Sequence, residues 1–90
     1  MTLLYTNCNY VSRGVIMEKI MLVFGQRLKL LRKEKELKQR DMAEFLGCSE
    51  RNYQKMEYGD INVPALTLIK LADLFDVSLD YLVGRAEERR

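Results

Sequence analysis

Between Gln39 and Tyr58 the chain runs QRDMAEFLGCSERNYQKMEY. Met42, Ala43, Phe45 and Leu46 make the apolar side of a short helix over 39–46. Gly47 stops that helix, because only a residue without a Cβ turns into the left-handed conformation at no steric cost. Cys48 is a small apolar plug. Ser49 is a good N-cap for a second helix, Glu50 to Glu57, in which Tyr53 and Met56 face inward. Gly59 ends it. Ala43 has to be small, since the second helix crosses close to it. Met42, Leu46, Cys48, Tyr53 and Met56 close the angle by packing on other helices.

Working outward, Met21, Phe24, Leu28 and Leu31 recur at spacings of three and four and predict a helix running to about Lys35. Asp60–Val63 is a loop, and Pro64 suits the entry to a fourth helix with Leu66, Ile69, Leu71, Ala72 and Phe75 on its inner face. Asp76 and Val77 close it. Ser78 caps a last short helix bearing Leu79, Leu82 and Val83, and Gly84 terminates it. Phe24, Phe45 and Phe75 are core by spacing, whereas Tyr81 and the Leu79, Leu82, Val83 set are either core or a dimer face. The predicted fold is all-α, a compact five-helix bundle containing a helix-turn-helix.

Residues 1–16 differ in kind, with one charge, Arg13, and no helical period. Alternation through Leu4, Thr6, Cys8 and Tyr10 is weakly strand-like. Two readings stand: a leader preceding a functional start at Met17, or an N-terminal arm that adds to a partner subunit. Residues 17–85 form the helix-turn-helix domain, and 86–90 a charged C-terminal tail.

Composition removes several function classes. The 90 residues contain no histidine, so there is no imidazole base, no Ser-His or Cys-His pair and no His-bearing zinc site. No phosphate-cradling glycine loop or suggestive carboxylate pair is present, and an enzyme is not indicated. Cys8 and Cys48 are too few for a metal knuckle or a disulfide framework, which fits a reducing, cytoplasmic setting. No metal or other cofactor is implied. The longest apolar run, Ile20–Phe24, has five residues, against roughly 20 for a bilayer span. No membrane association is expected.

The formal net charge of +2 conceals a polarity. Arg27, Lys29, Arg32, Lys33, Lys35, Lys38 and Arg40 face only Glu34 and Glu36 in the same stretch, while the chain after Ile61 is slightly acidic. One end is thus positive, a distribution suited to a polyanion. A solvated helix face with pairs such as Glu34–Lys38 and Glu36–Arg40 accounts for the same residues.

Arg32, the Leu37-Lys38-Gln39 entry, Ala43, Leu46-Gly47-Cys48-Ser49, Glu57 with Gly59, Pro64 and the ending Val77-Ser78-Leu79-Asp80-Tyr81-Leu82-Val83-Gly84-Arg85 form a specific set. In them the chain resembles the phage-repressor-like, Xre/Cro-type helix-turn-helix regulators, over about Phe24 to Arg85. The resemblance implies a lambda-repressor-like five-helix DNA-binding domain, usually dimeric on pseudo-palindromic operators and mostly acting as a transcriptional repressor in prokaryotes or phage. It implies an ion pair of Arg32 with Glu57 between helices one and three. It also implies that Gln39 bonds a phosphate and braces the recognition helix, and that the last helix serves dimerisation.

Two residues depart from the pattern. Lys38 stands where relatives carry Ser, Thr or Asn as the cap of helix two, a locally unfavourable charge at a positive helix end; it is either a tolerated surface lysine or the partner of an external anion. Tyr53 replaces the usual Ile or Val, so its hydroxyl needs a partner.

The third helix is expected in the major groove. Its outward side chains then read bases: Arg51 pairs with guanine, Gln54 with adenine, Lys55 takes guanine or a phosphate, and Glu50 accepts from cytosine. Lys38, Gln39, Arg40, Asn52, Tyr58 and Asn62 are the candidate phosphate contacts, which position without reading sequence. Lys29, Lys33 and Lys35 add long-range attraction. The expected function is a sequence-specific regulator of double-stranded DNA, acting as a homodimer. The alternative is an antitoxin-like subunit that turns the same fold to a protein partner.

Overall fold

In the computed structural model the described residues are Leu4–Arg90 for the backbone and Lys19–Arg90 for the side chains. Five helices follow one another: α1 (Leu4–Glu34), α2 (Gln39–Leu46), α3 (Glu50–Tyr58), α4 (Ala65–Phe75) and α5 (Leu79–Leu82). No strand occurs among the described residues. No helix among them is long and apolar enough to cross a membrane.

α1 is the frame. Met21, Phe24, Leu28 and Leu31 are all buried, as their spacing requires. The helix reaches back to Leu4, which corrects the weakly strand-like reading of Leu4, Thr6, Cys8 and Tyr10. Once a packed segment nucleates a helix, each further residue adds a hydrogen bond at little cost, and no proline interrupts residues 4–34. The leader or arm expected over 1–16 falls on residues whose side chains lie outside the described ones. α1 ends at Glu34, where Glu36 takes the left-handed conformation at φ 58° and Leu37 N–H donates to the Arg32 carbonyl at 3.1 Å. Glu34–Lys38 and Glu36–Arg40 therefore do not share a helix. Glu34 instead accepts two hydrogen bonds from Arg89, at 2.8 and 2.7 Å.

α4 buries Leu71, Ala72 and Phe75, with Leu68 and Leu74 half-buried against the same core. Leu66 and Ile69, expected on this inner face, point outward and are 80% and 45% exposed. The helix carries two apolar stripes, and the longer one, through 68, 71, 72 and 75, takes the core. Phe45 is also misplaced by simple spacing. Met42 and Ala43 fill the inner side of α2, leaving Phe45 at its edge, 42% exposed, with the Lys70 ammonium 5.4 Å from its ring centroid. In α5, Tyr81 and Leu82 are core and Leu79 is exposed, while Val83, just past the helix, is half-buried.

The chain after α5 folds back. Arg27 Nη1 donates to the Ala86 carbonyl at 2.7 Å and also to the Tyr81 carbonyl. Its guanidinium lies 4.2 Å from the Tyr81 ring centroid. Ser78 N–H donates to the Arg89 carbonyl at 2.5 Å.

α3 is held against α1 by two features. The first is Gly25, where an added Cβ would lie 2.3 Å from the Glu57 carbonyl oxygen and 2.7 Å from that of Met56. The second is a buried polar cluster. Arg32 Nε donates to Glu57 Oε2 at 2.6 Å and Nη2 to Oε1 at 3.3 Å. Tyr53 Oη donates to Oε2 at 2.5 Å, and Gln39 Nε2 to Oε1 at 3.2 Å. Arg32 Nη1 also donates to the Leu37 carbonyl at 2.9 Å. Among the described residues no buried side-chain nitrogen or oxygen lacks a partner. Burial pushes the Glu57 carboxyl up, but the hydrogen bonds from Arg32, Tyr53 and Gln39 outweigh it and hold the carboxyl below its ordinary value. The bond to Glu57 raises the Arg32 guanidinium. Burial, and then the bond to Glu57, raise the Tyr53 hydroxyl.

Three outcomes are expected in thermal denaturation. Gly25→Ala, worth about 1 kcal/mol of helix propensity in an open helix, should instead destabilise by about 1–3 kcal/mol through overpacking. A melting temperature at or above the parent's would contradict the close approach. Glu57→Ala leaves Arg32 buried and uncompensated, at about 3–5 kcal/mol, which lowers Tm by about 12 °C or more. A change within a degree or two of experimental error would contradict it. Because Glu57 titrates below the ordinary value near 4.5, its contribution is full above that value. It is lost as pH falls through the lower folded one. Tm of the parent should accordingly fall more steeply on acidification than Tm of Glu57→Gln.

Candidate nucleic-acid interface

The α2–α3 turn is built from backbone upward. Gly47 sits at φ 73° and its N–H donates to the Glu44 carbonyl at 3.2 Å, while Cys48 N–H donates to Ala43 at 3.0 Å. The Ser49 hydroxyl then accepts from Asn52 N–H at 3.0 Å and starts α3. Cys48 is half-buried and packs on the core. These bonds fix the angle between two short helices whose outer surfaces are polar.

α3 divides sharply. Tyr53, Met56 and Glu57 are buried, with the Tyr53 ring at 0% exposure. Glu50, Arg51, Lys55 and Tyr58 are exposed, and Asn52 and Gln54 are half-buried. Of the base-reading candidates, Glu50, Arg51 and Lys55 therefore stand free on one helix. Gln54 is partly engaged: its Nε2 donates to Gln39 Oε1 at 3.0 Å. The resemblance implied that Gln39 braces this helix but did not name Gln54 as the residue it bonds.

At the start of α2, Lys38 and Arg40 are exposed and Gln39 is half-buried. The Lys38 N–H donates to Asp41 Oδ2 at 2.9 Å. An ammonium cannot accept, so Lys38 gives the first turn of α2 no side-chain cap. The open N–H groups, the exposed ammonium and the positive helix end together favour an anion. Gln39 spends its oxygen on Gln54 and one amide hydrogen on Glu57, which leaves one hydrogen for an outside acceptor. Asn62 is exposed in the loop after α3.

The cation run of 27–40 is not one surface. Arg32 is buried against Glu57, and Arg27 is committed to Tyr81, Ala86 and Glu87. Lys29, Lys33, Lys35, Lys38 and Arg40 remain exposed. Gly25 is the other residue that the sequence reading passed over. A glycine inside an apolar helical stripe was the signal available for it.

A family model described as "Helix-turn-helix" matches residues 28–82. Three curated Bacillus subtilis (strain 168) proteins are similar over most of the chain. The uncharacterized HTH-type transcriptional regulator YqaE is 40% identical over 68 residues, 74% of this chain and 59% of the relative. The SPbeta prophage-derived uncharacterized HTH-type transcriptional regulator YonR is 41% identical over 61 residues, 68% of this chain and 56% of the relative. The HTH-type transcriptional regulator ImmR is 36% identical over 63 residues, 70% and 50% of the two chains. The chain thus spans between half and three-fifths of these relatives. With the matched region running from inside α1 to the end of α5, the chain belongs to the helix-turn-helix family.

Proposed function

We propose that the chain is a sequence-specific, double-stranded DNA-binding transcriptional regulator, acting in the cytoplasm as a homodimeric repressor on a pseudo-palindromic operator. The observation that carries the reading is the division of α3. One face is locked to α1 by a buried ion pair, and the other presents Glu50, Arg51 and Lys55 to solvent. A rigid helix with a free polar edge is what major-groove readout needs. Relatives described as HTH-type transcriptional regulators support it.

In this reading α3 enters the major groove. Arg51 takes guanine with both donors of its fork, Gln54 takes adenine, Lys55 takes guanine or a phosphate, and Glu50 accepts from cytosine. Lys38, Gln39, Arg40, Asn52, Tyr58 and Asn62 set the register through phosphates. Exposed Leu79 on α5 and half-buried Val83 just after it are the apolar residues offered to a second copy.

One observation favours a second reading, a partner-binding subunit: Leu66 and Ile69 stand outward one turn apart on α4. A stoichiometric protein that co-purifies in place of DNA binding would select it.

Binding is best followed by fluorescence anisotropy with labelled duplexes across a salt series. With about six phosphates contacted per dimer, log K should fall against log salt with a slope of roughly −5. A salt-independent interaction would contradict the reading. Across a panel of single-base operator variants at one ionic strength, Arg51→Ala should cost roughly 1–3 kcal/mol on the preferred site and relax one half-site position. Lys38→Ala should weaken all sites alike and shallow the slope by about one for each phosphate that Lys38 neutralises. An even loss across the panel for Arg51→Ala would make it a phosphate contact.

A further inference from the structure

We infer that Glu57 sets the orientation of the Gln54 side-chain amide through Gln39, and so determines which purine Gln54 accepts. This rests on the DNA-binding reading and deepens it at one residue. Glu57 is a carboxylate with 1% side-chain exposure, paired with Arg32, and a carboxylate only accepts hydrogen bonds. Gln39 must therefore turn its nitrogen toward it, as the bond from Nε2 to Glu57 Oε1 at 3.2 Å requires. The Gln39 oxygen is then directed elsewhere, and it too only accepts. Gln54 meets it with its nitrogen, Nε2 to Oε1 at 3.0 Å. Turning either amide by half a turn would set oxygen against oxygen, or nitrogen against nitrogen. The polarity of two neutral amides is thus inherited from one buried charge.

The consequence lies in what Gln54 has left. Its second amide hydrogen and its oxygen remain, in a defined order. Adenine offers the N7 acceptor beside the N6 donor, whereas guanine offers two acceptors, N7 and O6. An amide held in one sense can satisfy adenine and sets its oxygen against guanine O6. An amide released from Gln39 can turn both hydrogens of its nitrogen toward N7 and O6, which the bond to Gln39 prevents, and loses the distinction. Glu57 touches no base in this arrangement and acts as a positioning residue. Gln39 transmits the orientation.

The test uses the full chain in two arms. In the free protein, side-chain amide hydrogen exchange followed by nitrogen-15 NMR should speed up several-fold at Gln54 in Gln39→Leu, and at both glutamines in Glu57→Gln. With DNA, the adenine-over-guanine ratio at one half-site position should drop by about tenfold in Gln39→Leu, while ratios at the other positions hold. A general loosening of α3 would instead flatten all positions together. Gln39→Leu keeps the bonds of Arg32 and Tyr53 to Glu57, so the test stands even where Glu57→Gln fails to fold. Unchanged Gln54 exchange, or an unchanged adenine preference, in Gln39→Leu would overturn the inference. A parent chain that binds no duplex would defeat the DNA reading and the purine choice with it. The free-protein exchange then separates that failure from a failure of the orientation relay.

Discussion

One buried carboxylate accepts hydrogen bonds from three helices. Arg32 comes from α1, Gln39 from α2 and Tyr53 from α3 itself, and all three converge on Glu57. Taking an ion pair out of water costs several kcal/mol per ion, and the mutual attraction offsets this only when the remaining lone pairs and protons are satisfied. Each donor is therefore needed by the others. The arrangement tolerates little relative movement of α1, α2 and α3, because any shift leaves a buried charge with an incomplete shell. Gly25 removes the remaining slack by letting the α3 carbonyls come within a side chain's width of α1.

The polar surface inherits that rigidity. α3 is only nine residues long, too short to be stable alone, so its fixed direction comes from packing and from the cluster on its inner face. Its outer side chains project from a helix whose roll about its own axis is set by Tyr53 and Glu57. The Gln39–Gln54 bond carries the constraint from the buried side to the rim. At the opposite end, Arg27 and the returning chain hold Tyr81, and through it α5, against α1.

Most of the architecture was legible because local signals agreed. Gly47, Ser49, Gly59 and Ser78 mark helix boundaries by their own chemistry, and they coincide with the end of α2, both ends of α3 and the start of α5. The extent of α1 was not, since residues before Met17 carry no apolar period and a helix can propagate without one. Leu66, Ile69 and Phe45 were misplaced for a different reason. Their helices carry more apolar residues than one face can bury, and only the neighbours decide which stripe wins. On the candidate interface, Arg51 and Lys55 could be read as outward from the 3.6-residue period alone. The partial engagement of Gln54 could not, because it depends on the distance between two helices. Nor could the diversion of Arg27 from the basic stretch, which depends on where the chain after α5 returns.

In the proposed function the free edge of α3 reads duplex DNA from a frame fixed by Glu57. Selection of binders from a random duplex pool at one stated salt concentration tests it most directly. The expected result is enrichment of a two-fold symmetric site whose half-sites lie about 34–36 Å apart, one helical turn. A pool that emerges from repeated rounds with the sequence composition it entered with would contradict it.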